Sequence, residues 1–130
     1  MTVEIPESHR DLLDIPVAVL ATAGPNGPHA TAVWFLWDDG VVRTSGVSTR
    51  QWFKNGVRAG RASFLFVDPA SPYRTLELRG AVTAEPDSDL AFMRREFEKY
   101  DTSVEAFGNP EPELRSVFTL TPDRAFAWGH

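Results

Sequence analysis

Residues 17–46 read VAVLATAGPNGPHATAVWFLWDDGVVRTSG, three apolar runs separated by two turn signals. Asn26-Gly27 and Asp39-Gly40 are dipeptides that tolerate positive φ, the mark of tight two-residue hairpins. Val17–Thr22 is predicted as a short buried strand. His29–Trp37, rich in Val, Thr and aromatics, suits a second strand, and Val41–Ser45 a third. The expectation is an antiparallel three-strand meander.

Downstream the pattern changes. Ser48 or Thr49 is expected to cap a helix over Arg50–Ala59, with Gly60 ending it. On an ideal helix Arg50, Lys54, Arg58 and Arg61 fall within an arc of roughly 80°. Trp52, Phe53 and Val57 take the opposite side, so one face is wholly cationic. Ala62–Val67 is an apolar strand, and Asp68-Pro69 through Pro72 a turn. Tyr73–Ala84 is a long strand with Leu76 and Leu78 on one face, Glu77 and Arg79 on the other, and a bulge expected at Gly80. Asp87–Tyr100 is a helix with Leu90, Met93 and Phe97 inward and Glu96 and Glu98 on its solvated face. Residues 101–113 form an acidic, Pro-containing loop. Ser116–Thr121 and Arg124–Trp128 make a last strand broken near Pro122. Upstream, Ser8 caps a short helix over His9–Asp14, closed by Pro16.

Six to seven strands with hairpin connections and few helices predict a mainly β fold with peripheral helices, a closed or nearly closed antiparallel barrel. With 130 residues it is expected to be one domain.

Composition narrows the function. There are no cysteines, which excludes disulfides and thiolate metal sites. The formal net charge of −5 argues against a nucleic-acid partner. No apolar run reaches the ~18 residues of a membrane helix. The polar opening MTVEIPESHRD does not read as a signal peptide, and a cytoplasmic location is expected. Residues 40–67 carry no acid but hold Arg43, Arg50, Lys54, Arg58 and Arg61, while 85–113 hold nine of the eighteen acids. That asymmetry fits a local anion site or a solvated cationic face.

No nucleophile elbow, Walker loop or dinucleotide fingerprint is present. His9, His29 and His130 are too scattered for a metal site, and His29 is expected to be exposed. Asp38-Asp39 reads as turn chemistry. No catalytic pair stands out, so an enzyme built this way would rely on a cofactor. The stretch TSGVSTRQWFKN, residues 44–55, offers a place for one. Ser45, Gly46 and Ser48 allow close approach, and the following helix points its N-terminus at the same place. Arg50 is suited to grip a phosphate, with Lys54 a turn further on. Arg115 is read as standing apart from this site. A strand–helix junction with surface cations is the plainer alternative.

The order of these motifs resembles the split-barrel flavin-binding proteins related to pyridoxamine 5′-phosphate oxidase, and is similar to short actinobacterial deazaflavin-dependent reductases. The carrying residues are VAVLATAGPNGPHATAVWFLWDDG, then STRQWFKNGVRAGRASFLFVDPASPYRTLELRG, then PDRAFAWG. The resemblance implies a split β-barrel and a homodimer with cofactor sites at the interface. It places Thr31, Ala32 and Val33 on the ring-contacting strand and Thr44 and Ser45 on the facing strand. The family's phosphate-binding arginine falls on Arg50 and its helix asparagine on Asn55, with Thr49 and Lys54 beside them as further candidates, and the partner's Tyr73 segment would cover the ring. The lysine many members carry three residues before the asparagine is Trp52 here. The implied function is an oxidoreductase using coenzyme F-420, a deazaflavin, to pass a hydride to a small activated acceptor such as an enone. Arg58 and Arg61 would suit that cofactor's anionic tail. FMN on the same scaffold is the alternative, and a cofactor-binding protein without turnover the third reading. A homodimer is also expected from Val33–Trp37, whose V-W-F-L-W lacks alternation and would need cover on both faces.

Overall fold

A computed structural model describes residues 3–130. Seven strands form one antiparallel sheet: β1 (Ala18–Gly24), β2 (Gly27–Val33), β3 (Leu36–Asp38), β4 (Val41–Val47), β5 (Arg61–Val67), β6 (Thr75–Pro86) and β7 (Arg115–Trp128). Their order is β2-β1-β5-β6-β7-β4-β3. The helices are a 3-10 segment over Glu7–Asp14, α1 (Gln51–Ala59), α2 (Ala91–Lys99) and the single turn α3 (Val104–Phe107).

The meander expected over residues 17–45 does not form. β1 pairs with β2 and β3 with β4, but β2 and β3 lie at opposite edges of the sheet. Only Trp34 and Phe35 separate them in the chain. Three residue steps span at most roughly 11 Å, so the sheet must curl until its edges nearly meet. This is the split barrel. Phe35 turns fully inward, while Trp34 stacks on Tyr100 at 4.0 Å and meets Phe97 edge-on at 5.3 Å. V-W-F-L-W is therefore a crossing between strands, and α2 supplies the cover that the unbroken apolar run had suggested must come from a second chain.

The first hairpin also shifts. Gly24 pairs with Gly27, so the loop is Pro25-Asn26 and the positive φ of 108° falls at Gly27. The fixed negative φ of Pro25 excludes a turn with both central residues positive. The second hairpin is as predicted, with Asp39 and Gly40 at φ 51° and 94°. β7 runs unbroken through Pro122, because the bulge with β6 absorbs the irregularity. Arg79 pairs with Arg124 but Gly80 with Pro122. A Cβ at Gly80 would lie 2.0 Å from the Thr121 carbonyl oxygen, so no larger residue fits that crossing.

The barrel interior is filled by Leu20, Val42, Phe64, Phe66, Leu76, Leu78, Phe118 and Leu120, all fully buried. Each such side chain stabilises by about 1.5–3 kcal/mol. Leu12 and Leu13 of the 3-10 segment join this core, as does Phe53 of α1. Leu90, Met93, Phe97 and Val104 form a second, smaller cluster. α2 starts later than predicted because Asp87 stays outside the helix. Its carboxylate accepts the Phe92 and Met93 amides at 3.1 and 3.0 Å.

The split is closed by side chains. The Thr44 hydroxyl donates to the Trp34 carbonyl at 2.7 Å. The Phe35 amide donates to the Tyr100 hydroxyl at 3.0 Å, which itself donates to the Pro16 carbonyl at 2.7 Å. The Lys99 ammonium donates to the carbonyls of Ile15 and Phe35 at 2.8 and 3.0 Å. Where strand pairing runs out, buried backbone groups still need partners, and α2 provides them.

Candidate cofactor site

α1 begins where β4 ends. Arg50 sits at its N-cap in extended geometry, and neither Ser48 nor Thr49 caps it as expected: among the described residues no side chain accepts from the first turn. The helix start therefore presents open N–H donors and a positive dipole end. Gly60 ends the helix in left-handed geometry, as predicted.

This helix start opens on a cavity of about 510 Å³ between β2, β4, α1 and the residues leading into β7. Thr31, Ser45 and Arg50 line it, as do His29, Trp52 and Arg115. Two of the lining residues, Ser45 and His29, each hold a buried polar atom, Oγ and Nδ1, without a hydrogen-bond partner among the described residues. Such groups cost free energy unless something outside the chain satisfies them. They fit a ligand bearing hydrogen-bonding atoms. His29, expected at the surface, is half-buried.

The floor beside Ser45 is Gly46. A Cβ there would lie 2.5 Å from the Trp52 ring, which packs edge-on against Phe118 at 5.3 Å. Trp52 is thus both a core residue and a cavity wall. It cannot supply the positive charge of the lysine that the resemblance placed there.

The other expected site residues lie elsewhere. Ala32 points to the opposite face of β2 from Thr31, as strand alternation requires. Val33 packs against the core. Thr44 is interior and engaged at the split. Asn55 is buried, accepts from Gln51 Nε2 at 2.6 Å and donates to Thr22 at 3.4 Å, tying α1 to β1. Thr49 and Lys54 are exposed and off the cavity wall. Tyr73 is 82% exposed in the turn before β6. The four-membered cationic face also dissolves. Arg61 belongs to β5 and pairs twice with Asp123 at 2.8 and 2.9 Å, while Arg58 turns towards Asn55 at 3.4 Å.

Sequence reasoning missed Arg115 and Glu96. Arg115 is buried at the cavity, opposite Val47 in the β4–β7 register. The signal was available only once β7 was known to pair with β4. Glu96, expected on a solvated face, is 2% exposed. Its carboxylate accepts the Ser45 amide at 3.2 Å, where β3 no longer reaches β4. Burial pushes its carboxyl up to about 7, against the Ser45 amide and the attraction of Arg115 and Lys99. Burial likewise draws Lys99 down to about 8 and lifts Tyr100 to about 12.

Comparison with known proteins agrees with this geometry. The family model described as pyridoxamine 5′-phosphate oxidase matches residues 5–129. A solved F-420 reductase shares 31% identity, with a TM-score of 0.83, covering 94% of this chain and 98% of its own. A conserved hypothetical protein from Mycobacterium tuberculosis shares 24% identity at a TM-score of 0.76, covering 99% and 87%. General Stress Protein 26 from Bacillus anthracis has the same fold at 16% identity and a TM-score of 0.71, covering 94% and 92%. A search of curated proteins gave no match. With the split barrel, the open helix start and a match over nearly its whole length, the chain belongs to the pyridoxamine 5′-phosphate oxidase family of flavin- and deazaflavin-binding split barrels.

Proposed function

We propose that the protein is an oxidoreductase that binds coenzyme F-420 in the cavity at the start of α1 and reduces a small activated acceptor such as an enone. The observation that carries this is the pair of unsatisfied buried atoms, Ser45 Oγ and His29 Nδ1, beside an uncapped helix start. The 31% identity to an F-420 reductase supports the choice of cofactor. When bound, the deazaflavin supplies the hydride. The chain's part is to bind, orient and keep water out. Ser45 and Thr31 would position the ring, and Arg50 with the open amides of α1 would hold the phosphate. Lys54 would add positive charge near it, and Thr49 a neutral hydroxyl.

FMN is the second reading, and one observation favours it. Arg61, expected to meet an anionic tail, is already paired with Asp123. Purification followed by absorption spectroscopy separates the two. Tightly held flavin absorption would count against the deazaflavin.

The functional form we propose is a homodimer. On the outer face of the sheet, Ala32, Val19, Leu65 and Phe126 form one cross-strand row through Glu77, with Ala30 and Ala21 beside them. Ala21, Ala30, Ala32 and Phe126 are exposed. Such a largely apolar face, interrupted by the Glu77–Arg79 pair, suits an isologous contact. The exposed Tyr73 and Trp128 at its end would reach towards the partner's cofactor.

A further inference from the structure

Arg115 is the first residue of β7, paired with Val47. Alternation gives it the face it shares with Val117, whose partner across β4 is Ser45. Its backbone is fixed on both sides. Its carbonyl accepts the Asp87 amide and the Leu114 carbonyl accepts the Ser48 amide, each at 2.9 Å. The residue is only 8% exposed. Nε donates to the Pro110 carbonyl at 2.9 Å. The two terminal nitrogens, with four N–H donors, have no hydrogen-bond partner among the described residues, and no carboxylate reaches ion-pair distance.

Elsewhere seven of the thirteen cations pair with carboxylates, whereas among the described residues Lys54, Arg58, Lys99 and Arg124 do not. Arg74 is held by Asp11 and Asp68, and Arg95 and Arg43 share Asp38. Arg50, on the same cavity as Arg115, also has no ion pair among the described residues. Glu111 is on that wall too, beyond ion-pair distance of either. Two guanidinium groups converging on one partly closed space repel each other, and the buried one has lost much of its hydration. An anion between them would offset both costs. The uncapped start of α1 faces the same space.

We propose that Arg115 and Arg50 together clamp one phosphoryl group at the start of α1, Arg115 supplying the second positive charge that Trp52 cannot. This deepens the reading of the cavity as a site for a phosphorylated flavin or deazaflavin. A planar fork with its terminal donors free matches phosphate oxygens two at a time.

The test compares chromophores that differ only at the phosphate. FMN and riboflavin, and F-420 and its phosphate-free deazaflavin, are titrated by fluorescence against wild type and Arg115→Gln. The clamp requires Arg115→Gln to weaken the phosphorylated member of a pair tenfold or more and leave the other unchanged. Equal loss for both members, or no loss, overturns it. Should Arg115→Gln fail to fold, Arg115→Lys decides. A severalfold loss confined to the phosphorylated chromophore supports the clamp, and undiminished affinity overturns it. A second arm needs no chromophore: inorganic phosphate against chloride at matched ionic strength, read by thermal unfolding. Stabilisation of wild type that is lost in the Arg115 variant, with no chromophore bound by either, would keep the clamp and reject the cofactor reading. If neither phosphate nor a phosphorylated chromophore acts on wild type, the clamp is rejected.

Discussion

Replacing Glu96 by Gln should remove a pH-dependent weakness from this fold. The carboxyl is 2% exposed and lies behind Ser45, where β3 no longer pairs with β4. Burial raises its proton affinity from 4.5 in an open chain to about 7 in the folded one. The folded state thus holds the proton more tightly than the unfolded state. The stabilising contribution is complete below about 4.5, falls as pH rises through 7 and is gone above it. At roughly 1.4 kcal/mol per tenfold change in proton affinity, the full effect is about 3 kcal/mol. Gln keeps an oxygen for the Ser45 amide but has no proton to lose. Urea unfolding of both proteins at intervals between pH 4.5 and 8 isolates the contribution. Low-pH losses from carboxylates held down by their donors, Asp38 by Arg95 and Arg43 and Asp68 by the Ala70 amide and then Arg74, are common to both and cancel in the difference. Glu96→Gln should gain on wild type by up to about 3 kcal/mol as pH rises across that window. A difference that stays flat would refute the buried, titrating carboxyl.

Arg50→Ala should weaken binding of a phosphorylated cofactor by about 1.5–3 kcal/mol, roughly tenfold to more than a hundredfold, as read by fluorescence titration. Arg124→Ala, an exposed change away from the cavity, should leave it unaltered. Gly46→Ala should cost about 1–3 kcal/mol in urea unfolding, because the new methyl carbon meets the Trp52 ring at 2.5 Å; an unchanged midpoint would mean that the ring moves aside freely. Ala32→Arg, on the outer face of β2, should convert the dimer to a monomer in sedimentation equilibrium at micromolar concentration, and a dimer unaffected by it would place the interface elsewhere.

The elements were largely legible because strand alternation, hairpin dipeptides and helix periodicity are local signals. The partners of those elements were less so. The run Val33–Trp37 reads as one strand, yet it breaks at Trp34-Phe35 to serve both edges of the sheet. Nothing local marks the break, since it is the curvature of the whole barrel that makes the edges meet. The same long-range closure explains Glu96, which is an ordinary helical acid until α2 lies against the split. At the site, Arg50 and Ser45 were readable from the small-residue strand running into a helix. Arg115 was not, because it reaches the cavity only through the pairing of β7 with β4. The apparent cationic face failed for a simple reason: Arg61 lies beyond the end of α1, in β5.

The most direct test of the central claim is titration of the cofactor-free protein with coenzyme F-420 and, separately, with FMN, following chromophore fluorescence and stoichiometry. The account predicts one F-420 per chain, bound more tightly than FMN and released on Arg50→Ala. Tight FMN binding with no measurable affinity for F-420 would contradict it.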